Sequence, residues 1–158
     1  VAVLGTGSVA PGASALVQLV LQRPVGALHG DRFIVRDQSA RRTLGGGVVI
    51  DAFPPRRGRA RPERLGDLVA MESEEHDAAL AELAERAKPG IDLAWFAANR
   101  NLTTNGTERL LARSGLKRAG KWAFSATVWA DLRRGLAAAL KGWHTQAVDG
   151  AGLPVARL

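Results

Sequence analysis

The sequence predicts an α+β fold in two small domains, strand-rich at the start and helical afterwards. Three observations predict it. Asp31 to Arg36 alternates, with Phe33 and Val35 on one face of a strand and Arg32, Ile34 and Arg36 on the other. From Ser73 onward, apolar residues recur at three- and four-residue spacing behind capping residues, the period of helices. Between these regions Pro54-Pro55 stops a strand, and RRGRARPER follows with five arginines and almost nothing apolar to bury. The expected division is therefore a first domain over 1–55, an Arg-rich linker over 56–71, a second domain over 72–145 and a tail over 146–158.

In the first domain, Val1 to Leu4 is a short apolar run, and Gly5 to Gly12 is rich in turn formers around Pro11. Ala13 to Leu21 alternates, placing Ala13, Ala15, Val17, Leu19 and Leu21 on one strand face, until Pro24 and Gly26 end it. Asp37-Gln38-Ser39 has side chains that bond their own backbone and turn the chain, so Thr43 to Ile50 returns as the second strand of a hairpin. About four strands are too few to close a barrel, so the expectation is a partial antiparallel β-barrel with an open or covered edge. That count, and a start at Val1 without methionine, agree with an internal fragment. Gly45-Gly46-Gly47 inside the return strand signals a bulge or the close approach of another backbone. It is not a nucleotide loop, because Val48, Val49 and Ile50 continue the strand and no lysine follows.

The second domain is expected to open at Ser73 as an N-cap, with Glu74, Glu75 and Asp77 at the positive end of the helix dipole. His76, Leu80, Leu83 and Ala87 make its buried stripe, which ends before Pro89-Gly90. Asp92 caps a short second helix with Leu93, Phe96 and Ala97 inward. Thr103 or Thr104 caps a third, which runs to Ser114 and stops at Gly115. Leu116 to Phe124 is a tight hairpin with a basic tip at Gly120, and three helices followed by a small hairpin is the winged-helix order. A long last helix starts near Ser125 or Thr127, with Trp129, Leu132, Leu136, Ala139 or Leu140, and Trp143 on the face that should pack on this domain or bridge to a neighbour.

Lys+Arg 22 against Asp+Glu 15 gives a net charge of +7 and a pI near 11.2, which points to a polyanionic partner such as nucleic acid. The excess lies mostly in residues 1–71, which hold ten arginines against five acids. The absence of cysteine excludes disulfides, zinc fingers and thiol nucleophiles. No apolar run reaches the roughly 18 residues of a membrane span, so the expectation is a soluble, cytoplasmic protein with no membrane partner.

GDRFIVRD followed by ARRTLGGGVVID resembles the end of the third, β-barrel domain of elongation factors that deliver aminoacyl-tRNA, and SARRTLGGG is closest to the selenocysteine-specific branch. The resemblance covers residues 1 to about 55 well, and the later winged-helix pattern fits the carboxy-terminal extension of that family. It implies a barrel of the elongation-factor type, and it identifies GLPVARL near the end with the opening of a further winged helix. It implies selenocysteinyl-tRNA as partner, with the ribosome and a messenger-RNA hairpin engaged through the full-length factor. The GTP-binding domain has no counterpart here, so GTP and Mg would belong to the parent factor, and this chain is expected to be a monomer that is not itself an enzyme and holds no cofactor.

By that resemblance Arg32, Arg36, Arg41, Arg42 and Thr43 face the T-stem backbone of the tRNA, and Gly46 lets the backbone come close. A second candidate surface comes from the residues themselves. Asn105, Arg109 and Arg113 are four apart and form one stripe of the third helix, with Lys117, Arg118 and Lys121 nearby on the hairpin. In the family the messenger hairpin is held by the most carboxy-terminal winged helix, so this stripe could equally be a solvated face. His29, His76 and His144 are scattered, and no catalytic triad, carboxylate pair or metal-spaced cluster stands out. Trp95, Trp122, Trp129 and Trp143 suit a core better than stacking, with Trp122 on the hairpin the strongest stacking candidate. Two other readings stay open: a stand-alone winged-helix DNA-binding regulator, and a purely structural spacer.

Overall fold

The computed structural model describes residues 1–5, 7–87 and 90–146. Two antiparallel ribbons come first. Strands β1 (Ala2–Val3) and β2 (Val17–Gln18) pair as Ala2 with Gln18 and Val3 with Val17. Strands β3 (Arg32–Arg36) and β4 (Thr43–Val48) form the expected hairpin. Among the described residues these ribbons do not close into a barrel. The strand expected over Ala13–Leu21 shrinks to two residues, matching β1, its partner, which is itself two residues long.

Helix α1 (Pro62–Met71) takes up more than half of the stretch expected as linker. Proline at the first helical position lacks an N–H that the first turn could not have bonded, so it opens a helix. Leu68, Ala70 and Met71 supply the buried face, against α2 (His76–Arg86), whose Ala79, Leu80, Leu83 and Ala84 form the other side of the core. Ser73 is not the cap of α2. Glu75 holds that position without a side-chain bond, because Ser73 sits in the α1–α2 turn and its hydroxyl donates to the Glu75 carbonyl instead.

What secures that turn is Arg100. Its Nη2 donates to the carbonyls of Met71 at 3.1 Å and Ser73 at 2.7 Å, and its Nη1 to the Glu74 carbonyl at 3.3 Å. A buried cation thus meets the carbonyls left over at the end of α1. The guanidinium carbon also lies 5.3 Å from the centre of the Phe96 ring.

Strand β5 (Ile91–Asp92) leads into α3 (Leu93–Asn99), capped by Asp92 as expected. Helix α4 (Thr104–Ser114) is capped by Thr103 and stops at Gly115, whose φ of 70° suits a residue without Cβ. Strands β6 (Lys117–Ala119) and β7 (Trp122–Phe124) turn at Gly120, and β5 pairs with β7 to give a three-stranded sheet in the order β5-β7-β6.

Helix α5 (Ala126–Gln146) starts where expected, with the Ser125 hydroxyl accepting the Val128 amide. Its packing differs from the expected stripe. Val128 is buried and Trp129 meets Phe124 at 5.4 Å, whereas Leu132 and Leu136 are exposed. The middle of the stripe thus faces outward, while Leu140 and Trp143 further along are half-buried. The expected tail beyond Gln146 lies outside the described residues. No described helix is long and apolar enough to cross a membrane.

Candidate nucleic-acid interface

The β3–β4 hairpin is shaped by its turn and by its glycines. One Asp37 oxygen accepts the amides of Arg41 at 2.9 Å and Arg42 at 3.1 Å, and the other accepts the Ser39 hydroxyl at 2.8 Å. The bond from the Arg42 amide, then the Ser39 hydroxyl, holds the Asp37 carboxyl below its ordinary value, so it stays ionised. Ala40 completes the turn at a φ of 54°, in the left-handed region.

Pairing runs Arg32 with Val48, Phe33 with Gly47, Ile34 with Gly46 and Val35 with Gly45, then shifts so that Arg36 faces Thr43. The bulge therefore falls at Leu44, just before the three glycines. The glycines answer a different need. A Cβ on Gly46 would lie 2.7 Å from the Phe33 carbonyl oxygen, and one on Gly47 would lie 2.6 Å from the Phe33 ring. The need for glycine at position 46 is thus met inside the hairpin, by its own neighbouring strand.

Residues directly opposite in an antiparallel pair share a face. Arg32, Ile34 and Arg36 therefore share one with Val48, Gly46 and Thr43, while Phe33 and Val35 lie half-buried on the other. Arg32, Arg36, Arg41 and Arg42 are all exposed, and among the described residues none is paired with a carboxylate. The one bond from this group is a long contact of 3.5 Å from Arg36 to the Ala40 carbonyl. The hairpin thus presents four uncommitted guanidinium groups on a strand and its turn.

The second candidate surface differs in this respect. Arg113 is locked to Asp77 by two bonds of 2.6 and 2.5 Å, Arg118 to Glu108 at 2.6 Å and Lys121 to Asp92 at 2.8 Å. The Arg113 bond holds the Asp77 carboxyl below its ordinary value, and the Lys121 bond does the same for Asp92. Asn105, Arg109 and Lys117 remain exposed and, among the described residues, without an acidic partner. Each committed cation must give up a carboxylate before it can meet a phosphate, so three of the five cations expected on this surface are already neutralised. The acids responsible lie ten to thirty-six residues away, and nothing in the local pattern connects them.

The two parts of the chain meet at Asn99, which is fully buried. Its carbonyl accepts the His29 amide at 2.8 Å and its side-chain oxygen accepts the Ala52 amide at 2.8 Å. Asp51 and Arg64 form an ion pair beside it, and Ile50 packs on the helical core. The base of the hairpin is thus tied to α3 by direct hydrogen bonds.

Residues 1–56 match the family model described as the β-barrel domain of the selenocysteine-specific elongation factor. Over 138 residues the chain is 37% identical to the selenocysteine-specific elongation factor of Escherichia coli, a match that covers 87% of this chain. The chain belongs, as a segment, with the selenocysteine-specific elongation factors. The factor of the same name from Haemophilus influenzae is 25% identical over 146 residues, 90% of this chain. These alignments extend past the barrel match and through the helical part. The chain spans about a fifth of the length of these relatives, at 22% and 23%. Residues of the family's barrel domain therefore include the whole hairpin with its free arginines.

Proposed function

We propose that this chain is the part of a selenocysteine-specific elongation factor that grips selenocysteinyl-tRNA and spaces the GTPase body from the messenger-binding end. The observation that carries it is the contrast in charge commitment. Arg32, Arg36, Arg41 and Arg42 are exposed and free of carboxylates on the hairpin, whereas Arg113, Arg118 and Lys121 are paired. Free guanidinium groups on a strand face suit the sugar-phosphate backbone of an RNA stem, which they position without reading its bases. Thr43, on the same face, adds a hydroxyl donor.

Residues 72–145 act as a winged helix that is rigidly joined to the barrel part through Asn99 and serves chiefly as a spacer. The chain works as a cytoplasmic monomer and catalyses nothing itself; GTP and Mg belong to the body of the factor, and the ribosome and messenger hairpin are engaged through the whole protein. A DNA-reading regulator would read bases through Asn105 and Arg109, which are exposed, but Arg113, Arg118 and Lys121 beside them are engaged with Asp77, Glu108 and Asp92, which leaves that face fewer cations to hold a duplex.

The test is a salt titration of binding to tRNA, a messenger hairpin and duplex DNA, with the wild type beside the Arg36/Arg41/Arg42 triple alanine variant. The expected result is a tRNA preference that the triple change removes, with a salt slope shallower by about 0.7–0.9 for each phosphate that is no longer neutralised. Equal weak binding to all three, unchanged in the variant, would leave the chain as a spacer.

A further inference from the structure

A groove of about 240 Å³ opens on the helical part, lined by Trp95 and Trp122 with Arg64, Asp67, Ile91 and Asp92 among its walls. Most of its polar groups are committed. Asp92 accepts the Ala94 and Trp95 amides through Oδ1 and Lys121 through Oδ2, and Arg64 is engaged with Asp51. Asp67 stands apart: it is half-buried, and among the described residues no donor meets its carboxylate. Burial pushes its carboxyl up, while the Arg64 and Arg86 guanidinium groups pull it down. A partly desolvated acid without a donor is unfavourable, and a ligand that brings donors relieves it.

We propose that this groove holds an unpaired guanine of an RNA strand, its ring against the Trp95 and Trp122 indoles and its N1–H and N2–H donated to the two oxygens of Asp67. Any base can stack on an indole, so the aromatic walls supply affinity without choice. Choice comes from the carboxylate. Guanine alone presents two adjacent donors on its Watson–Crick edge, whereas adenine, cytosine and uracil each set an acceptor beside a donor. The surrounding cations favour a nucleic acid over a basic peptide. Arg64 and Arg86 lie within electrostatic reach of Asp67, and Lys121 sits 5.0 Å from the centre of the Trp122 ring; although paired with Asp51, Glu82 and Asp92, these cations oppose the approach of a basic peptide and do not oppose a neutral base. This site is separate from the hairpin and stands or falls without it.

The experiment titrates the tryptophan fluorescence of the whole chain with r(UUGUU), r(UUIUU) carrying inosine, and r(UUAUU), for wild type and Asp67→Asn. The guanine pentamer is expected to bind about tenfold tighter than the adenine one. Inosine keeps N1–H and lacks the amino group, so it should fall between. Asp67→Asn should erase the ranking while leaving thermal unfolding and the hairpin-dependent affinity for tRNA unchanged, which separates failure here from failure of the tRNA reading. Equal wild-type affinities, a ranking that survives Asp67→Asn, or tighter binding of hexalysine than of the guanine pentamer would each overturn the proposal.

Discussion

Asn99 accepts the Ala52 amide at 2.8 Å across forty-seven residues of sequence. Its own side-chain nitrogen donates to the Trp95 carbonyl at 3.2 Å, so one buried side chain is satisfied at both ends. Asn99→Ala would strand the Ala52 N–H in a half-buried position. The expected loss is about 2 kcal/mol in urea unfolding, with faster hydrogen exchange at the Ala52 amide than at amides within α4. Unchanged exchange at Ala52 would mean that this bond does not hold the hairpin base to the helical part.

His76 makes stability depend on pH. Arg100 Nη1 lies 3.1 Å from His76 Nδ1, and since a guanidinium only donates, Nδ1 must accept and the ring is neutral with its proton on Nε2. Burial first, then the Arg100 charge, depresses the His76 pKa from its ordinary 6.5, against the pull of Asp77 and Glu75. The unfolded chain therefore binds the proton more readily than the folded one. Stability from this group is fully present above 6.5, and it is lost as pH falls from there through the lower folded value. His76→Gln offers Arg100 an amide oxygen that does not titrate. Urea unfolding between about pH 5 and 8 should show a shallower slope in the variant, and parallel curves would assign the pH dependence elsewhere.

Two neighbouring glycines should differ in cost. A Cβ at position 46 meets the Phe33 carbonyl, which belongs to the paired strand and cannot retreat without opening the ladder. At position 47 it meets the far end of the half-buried Phe33 ring, a side chain that can turn away without opening the ladder. Gly46→Ala is expected to cost about 1–3 kcal/mol and to weaken tRNA binding, with Gly47→Ala the milder of the two. The reverse order in thermal unfolding would show that the ring, not the backbone, sets the limit.

Elements defined by local chemistry were legible in the sequence. Asp92, Thr103, Gly115 and Gly120 each act within a few residues of themselves, and the structure places each at the helix end or turn expected of it. Three features set by distant partners were not. Ser73 resembles a cap, yet Arg100, twenty-seven residues on, fixes that turn from outside. RRGRARPER resembles a solvated linker, but its last residues open α1 because Leu68 and Met71 find α2. Arg113 and Arg118 fit a groove-entering stripe, and only the fold brings Asp77 and Glu108 to them. Charge counts along a chain show how many cations exist, and pairing decides how many are free.

Asp37 allows charge and geometry to be set against each other. Removing an acid from the most basic part of the chain should, by Coulomb attraction alone, strengthen its hold on RNA. Asp37, however, accepts the Arg41 and Arg42 amides and the Ser39 hydroxyl, and without it the turn that carries those two arginines loses three bonds. Asp37→Ala is therefore expected to weaken tRNA binding by about three- to tenfold although the net charge rises by one, because ordering the loop must then be driven by binding. Asp77→Ala is the charge-matched control. It frees Arg113 and leaves the hairpin untouched, so tRNA affinity should hold or rise slightly at low salt. Equal gains from both substitutions in the same salt titration would mean that the protein binds RNA through diffuse charge and not through a shaped hairpin.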